Sequence, residues 1–274
     1  MQSSQADARS QAHMVTSTYA AQQRSVGVYV RGVGAGRFEM PGAVMGRWRE
    51  RMETAAILVS GLGNMTKVKH KSEVAYWRGV YRREGPLTND HYMWFYTSYF
   101  GLSPADYSDR RILDIGCGPR GSLEWADMAS ERVGLDPLVD EYRALGIGQH
   151  KMTYVKANSE NIPFPDGHFD IVTSFNSLDH VDNLDATVAE ITRVTAPGGL
   201  LLLISDVGHN PTLTEPLSFS WDIIDRFTGF HAVETRHLEK SIDNVYASVK
   251  AGVPYDHENA DKRYGIITAK LRRS

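Results

Sequence analysis

A single cysteine, Cys117, occurs among 274 residues. An intrachain disulfide is therefore excluded, and stability must come from a packed core. No apolar run approaches the roughly 18–20 residues that span a bilayer. The best candidate, "TAAILVSGLG" from Thr54 to Gly63, is too short. There is no excess of positive charge: 30 Lys and Arg stand against 33 Asp and Glu, a formal net charge of −3. Such a balance offers no generic attraction to phosphate backbones, so nucleic acid is not an expected partner. The opening "MQSSQADARSQAH" lacks the basic-then-apolar layout of a secretory signal. A cytoplasmic location is the expectation. What is present is an ordinary globular composition, 42% apolar and 23% charged, able to form a sizeable core.

The chain divides by pattern into three parts. Residues 1–64 begin Ser/Gln/Ala-rich and continue through the glycine-punctuated "SVGVYVRGVGAGRF", which reads as a flexible or loosely packed extension, with room for a short hairpin. Residues 65–110 read as a helical lid: Val74, Trp77, Val80 and Tyr81 recur at helical spacing, and an aromatic run follows at 91–102. Residues 111–274 alternate strands and helices. Strands are expected at Arg111–Ile115, Arg132–Leu135, Met152–Val155, Phe169–Phe175, Leu200–Ile204, Ala232–Arg236 and Tyr264–Leu271. Helices are expected at Ser122–Ser130, Leu138–Leu145, Leu184–Thr195 and Trp221–Phe227, with a further one between the last two strands, and "APGG" (196–199) reads as a helix stop. That alternation predicts an α/β fold: a Rossmann-like, doubly wound, mainly parallel seven-stranded sheet with helices on both faces and an N-terminal helical lid. Such sheets bind ligands beyond the carboxyl ends of their strands.

The stretch "ILDIGCGPRGSLEW" (112–125) holds the chemistry. Gly116, Gly118 and Gly121 satisfy G-x-G-x-x-G, and Asp136 follows the next strand, as in dinucleotide sites. Two features oppose a diphosphate. Pro119 removes an N–H from the turn, and Asp114 brings negative charge toward it. A cationic ligand suits both: S-adenosylmethionine carries a sulfonium and an ammonium and no phosphate, and the glycines let the main chain approach closely.

The chain here resembles the class I S-adenosylmethionine-dependent methyltransferases, in the small-molecule, methyltransferase type 11-like branch. The matching stretches are "ILDIGCGPRG" (112–121), "VGLDPL" (133–138), "SENIPFPDGHFDIVTSFNSLDHV" (159–181) and "RVTAPGGLLLL" (193–203). The resemblance implies S-adenosyl-L-methionine as cofactor. Asp114, Gly116, Cys117, Gly118 and Gly121 would hold its methionine end, and Asp136 would accept from the ribose hydroxyls. Pro137 or Leu138 would pack on the adenine; Asn158, where the family usually has aspartate, would meet the adenine amino group, continued by Ser159 and Glu160. Glu160 reads equally well as a helix cap. Phe175 and Asn176 would pass beside the sulfonium.

Methyl transfer is an in-line displacement, so the protein must align the nucleophile and help remove its proton. His180 is the candidate base, with Asp179 to orient it. A metal held by Asn176, Asp179 and His180 resembles an arrangement in quinone-ring O-methyltransferases, but an amide is a weak ligand, and no metal is expected. Asp206 and His209 read as a solvated loop. His237 and the tract at 255–257 are weaker acceptor contacts. The expected activity is methylation of a small molecule such as a sugar or quinone, most plausibly at oxygen. Protein or RNA methylation and a non-catalytic cofactor-binding subunit are the alternatives. Oligomeric state is not legible.

Overall fold

The computed structural model describes residues 65–89, 92–241, 244–259 and 264–274. The expectations for residues 1–64 lie outside them. In the described part the α/β expectation holds. Seven strands form one sheet: β1 (Arg111–Ile115), β2 (Glu131–Leu135), β3 (Thr153–Val155), β4 (Phe169–Phe175), β5 (Thr195–Val207), β6 (Phe230–Glu239) and β7 (Gly265–Arg273). Their order is β3-β2-β1-β4-β5-β7-β6. All pairings from β3 to β5 are parallel, and β7 runs antiparallel to both neighbours. The chain winds outward from β1 in one direction and from β4 in the other. A crevice therefore opens between the carboxyl ends of β1 and β4, where connections leave on opposite faces.

Side chains alternate across the sheet. Leu113, Ile115, Leu201, Leu203, Ile267 and Ala269 pack on one face with Val188, Ile191 and Val194 of helix Leu184–Val194. Ile112, Ile171, Leu202, Ile204 and Ile266 pack on the other with Phe95, Tyr99, Phe100 and Tyr107. Asp114 lies two residues from Ile112 and so shares the aromatic face. In chain order the helices are α1 (Met65–Glu84), α2 (Met93–Tyr96), α3 (Val139–Tyr142), α4 (Leu184–Val194) and α5 (Val245–Ala251), supplemented by short 3-10 turns. Asn183 caps α4 by accepting from the Ala186 N–H at 3.1 Å. Val74 and Val80 of α1 pack against Leu138, Val139 and Tyr142.

Three local expectations change. No helix forms over Ser122–Ser130, which is a series of turns. The nine residues from 122 to 130 must run back along a five-residue strand, about 16 Å, and then enter β2. A helix rising 1.5 Å per residue is too short for that return. Helix Trp221–Phe227 is a 3-10 segment, Trp221–Arg226. "APGG" does not stop the chain between elements. It lies inside β5, where the pairing jumps from Phe169↔Thr195 to Ile171↔Leu200, a bulge that absorbs the extra residues.

Candidate active site

The glycine turn is built at the β1/β4 crevice. Gly116, Gly118 and Gly121 have φ of 67°, 58° and 69°, the left-handed region where a side chain is strained. The absent helix matters here: the loop offers no helix N-terminus for a phosphate, which removes the main attraction of a dinucleotide site. Instead the loop is braced from outside. The Gly121 N–H donates to the Tyr154 hydroxyl at 2.9 Å, and that hydroxyl meets His150 Nδ1 at 2.7 Å. His150 Nε2 reaches the Leu87 carbonyl at 2.8 Å. Neither Tyr154 nor His150 was singled out by the sequence. Their signal is a pair four residues apart near β3, which means nothing locally.

Asp114 is buried and bound by three hydroxyls. Thr173, its register partner on β4, donates at 2.5 Å. Tyr96 donates at 3.2 Å, and Ser122 makes a short bond. Its partners are these hydroxyls and not the loop N–H groups. Asp136 holds the loop backbone: it accepts from the Gly118 N–H at 3.1 Å and from the Leu138 N–H at 2.8 Å. Tyr96 thus brings a polar group from the aromatic run to the site. Phe95, Tyr99 and Phe100 are core, and Phe175 packs between Tyr96 and Phe100, 4.6 and 5.9 Å from their ring centres.

Burial pushes both Asp114 and Asp136 up from 3.8 to about 6. Desolvation disfavours the charged form, and the hydrogen bonds offset it only in part. The folded values exceed the unfolded ones, so the folded chain binds more protons between pH 4 and 6. Stability of the ligand-free protein should therefore fall as pH rises through that window and level off above it. Each shift, roughly two units, is worth on the order of 3 kcal/mol. A cationic ligand has the opposite need. Its affinity should drop up to about tenfold per pH unit for each carboxylate below pH 6, with a plateau above; calorimetric titrations from pH 5 to 8 beside thermal melts of the free protein check both slopes.

The other predicted residues divide. Cys117 is buried, and desolvation pushes its thiol well up, so it is inert packing beneath the turn. Pro137 is half-buried and Asn158 exposed. The Ser159 hydroxyl turns to Thr187 of α4 at 2.9 Å. Glu160 accepts from the Asp182 and Asn183 N–H groups at 2.8 and 3.0 Å, the helix-cap reading of that residue. Asn176 takes φ 52°, unusual outside glycine, and its buried Oδ1 has no partner among the described residues.

Asp179 and His180 end a 3-10 turn, Leu178–His180, just beyond β4. Asp179 is fully buried, and burial raises its carboxyl. Its Oδ1 lies 3.8 Å from His180 Nε2, ion-pair range rather than a hydrogen bond. His180 is close enough to Asp136 to lower that carboxyl electrostatically. The solvated-loop expectation for Asp206 and His209 is overturned: they are 2% and 6% exposed. The sheet carries Asp206 to the end of its longest strand, where it forms a short pair with Lys240. His237 instead joins His257 at 2.9 Å and stacks on Trp221 at the outer edge of the sheet, on β6.

Helix α1 crosses this region. Lys69 Nζ donates to the His180 carbonyl at 2.8 Å and pairs with Asp182. A Cβ on Gly118 would come within 3.3 Å of the Trp77 ring, and Arg120 pairs with Glu84 at 2.6 Å.

Comparison with known proteins agrees with this geometry. Residues 113–203 match the methyltransferase domain family Methyltransf_11. Over 89 residues the chain is 42% identical to the ubiquinone/menaquinone biosynthesis C-methyltransferase UbiE of Shewanella pealeana, covering 32% of this chain and 34% of that protein. An uncharacterized methyltransferase of Mycobacterium sp. (strain JLS) is 35% identical over 129 residues, 44% of this chain and 51% of its own. The chain thus spans about a third to a half of the curated relatives it matches. A crystal structure from Galdieria sulphuraria, provisionally named a sarcosine dimethylglycine methyltransferase, shares the fold with a TM-score of 0.55. At 13% identity it covers 74% of this chain and 98% of its own. Four ordered motifs, a seven-stranded sheet and a glycine turn flanked by buried carboxylates converge, and the chain carries a class I S-adenosylmethionine-dependent methyltransferase domain.

Proposed function

We propose that the protein transfers a methyl group from S-adenosylmethionine to a small-molecule acceptor at the carboxyl ends of β1, β2, β4 and β5. The observation behind this reading is the pair Asp114 and Asp136. Both are buried beside the glycine turn, and both are held by hydroxyl or N–H donors rather than by a Lys or Arg. Buried carboxylates in such a turn suit a cation, and the cofactor supplies one. Asp114 serves the methionine end, and Asp136 the ribose hydroxyls, using the lone pairs its two backbone donors leave free.

The acceptor approaches from the side of Asp179 and His180. A phenol- or enol-type hydroxyl fits the chemistry of that corner. Once its proton is removed, charge spreads over the oxygen and the neighbouring carbon, and either can attack the methyl group. That accommodates the expected O-methylation and also the C-methylation in the name of the UbiE relatives. His180, with 28% of its side chain exposed, is the group placed to act on that proton. His180→Ala should lower kcat about 100-fold or more while cofactor affinity stays within about threefold. An unaltered rate would leave the histidine structural.

The reading as a whole is tested by incubating the protein with labelled cofactor and a panel of phenols, quinols and sugars. Formation of S-adenosylhomocysteine with a labelled product supports it. Tight cofactor binding without turnover on any acceptor would favour the non-catalytic subunit instead. Saturable binding of a nicotinamide cofactor but not of S-adenosylmethionine would end the methyl-donor reading.

A further inference from the structure

We propose that Asp179, His180 and Glu215, with His209 beside them, form a binding site for a divalent first-row transition-metal ion. Each of Asp179, His180 and Glu215 offers one ligand atom, and the three atoms lie within 4.8 Å of one another. His209 Nε2 lies 3.6 Å from Asp179 Oδ2. Separations of this size suit ligands grouped around one ion at about 2.0–2.2 Å each.

The decisive feature is what these atoms lack. Neither oxygen of the fully buried Asp179 has a hydrogen-bond partner among the described residues, and neither does His209 Nε2. His209 Nδ1 lies 3.0 Å from the Asn210 carbonyl, which can only accept, so Nδ1 carries the hydrogen. In the neutral ring that leaves a lone pair on Nε2 pointing at a carboxylate oxygen. Two acceptors facing each other in a buried place repel unless something positive lies between them. A proton on Nε2 would serve that pair alone, leaving His180 and Glu215 converging on nothing. A divalent ion serves the three converging residues and sets positive charge beside the Asp179 carboxylate that His209 Nε2 faces, and its charge balances Asp179 and Glu215. The remaining carboxylate, Asp206, already has Lys240. An imidazole whose Nδ1–H is fixed by a carbonyl is also the usual arrangement behind a metal-bound Nε2.

The segment that brings Glu215 and His209 is tied down. Leu217 N–H donates to the Asp179 carbonyl at 3.3 Å and Gly208 N–H to the Phe219 carbonyl at 2.9 Å. Ser218 Oγ donates to the His209 carbonyl at 2.6 Å, and Glu215 N–H to Thr212 Oγ1 at 2.9 Å. The sequence argued against a metal because residue 176 is an amide. The missing ligands come from the loop after β5, and Asn176 is not needed. Mixed carboxylate and imidazole donors select Zn²⁺, Mn²⁺ or Fe²⁺ over Ca²⁺. If the methyl-transfer reading holds, on which this one consequence rests, the ion would lower the pKa of an acceptor hydroxyl, and His180 would act through it.

The test is calorimetric titration of Zn²⁺ and of Mn²⁺ into the chelator-treated full chain. One saturable site is expected for at least one ion, with affinity reduced about 100-fold in Asp179→Asn and at least tenfold in Glu215→Gln. Glu215 is half-buried on a loop, so Glu215→Gln keeps the test alive should Asp179→Asn fail to fold. No saturable binding of either ion, or equal binding by wild type and Glu215→Gln, would overturn the site. S-adenosylmethionine is titrated separately into the metal-free protein. Cofactor binding without ion binding sinks only the metal site, whereas ion binding without cofactor binding sinks only the methyl-transfer reading.

Discussion

Asp136→Asn is expected to weaken S-adenosylmethionine binding by about 100-fold or more while the melting temperature moves by only a few degrees. The carboxylate has about four lone-pair sites, and two are taken by the Gly118 and Leu138 N–H groups. The remaining two would meet the ribose hydroxyls. Hydrogen bonds to a charged group contribute about 1.5–3 kcal/mol each, and every 1.4 kcal/mol is tenfold in affinity. Two such bonds therefore amount to roughly 10²–10⁴ in Kd. The amide keeps the shape and one acceptor but turns an NH2 toward a backbone N–H, while the desolvation that holds Asp136 near 6 disappears. These effects on stability oppose each other, which is why the fold should survive. Asn is a cleaner probe than Ala, which would orphan both buried N–H groups. Cofactor affinity within threefold of wild type in the folded variant would remove Asp136 from its assigned role.

Gly116→Ala should fail in a different way, losing cofactor binding and folded protein together. The residue has φ 67°, and an added Cβ would lie 2.3 Å from Ser177 Cβ and 2.9 Å from Ser177 Oγ. Ser177 has little freedom to retreat, because its hydroxyl donates to the Ile115 carbonyl at 2.8 Å and bonds Ser174 at 2.9 Å. The left-handed conformation alone costs about 1–2 kcal/mol, and the overlap adds to it. A total near 3 kcal/mol or more predicts a fall in Tm of roughly 10 °C for a domain of this size. Gly146→Ala separates the two causes: its φ is 90°, but nothing lies within 4 Å of an added Cβ. That variant should lose only the conformational part. Equal melting temperatures for the two variants would mean that the Ser177 contact is not the obstacle.

The strands were largely legible because a parallel strand buried on both faces is a short apolar run with its own local signature. β1 and β4 have the expected bounds, β2 and β3 differ by one residue at their starts, and β5 extends well beyond the expected Leu200–Ile204 at both ends, to Thr195–Val207. The helix after the glycine turn was misread for a reason that local pattern does not contain. Residues 122–130 have helical composition, but the distance they must cover is set by the length of β1 and the position of β2. Asp114 was recognised as chemically odd, yet two of its three partners, Tyr96 and Thr173, arrive from distant segments. No spacing rule joins residue 96 or 173 to residue 114.

The sequence alone therefore determined the parallel α/β alternation, the glycine turn and the carboxylates beside it, and with them the family. Each of these is written in short local stretches, where backbone sterics and hydrophobic period act directly. The tertiary structure alone decided which distant groups meet: Tyr96 with Asp114, Trp77 with Gly118, Asp179 with His209 and Glu215. Those meetings depend on strand order and on loops held by contacts between residues far apart in the chain, and nothing in the local pattern of either partner records the other.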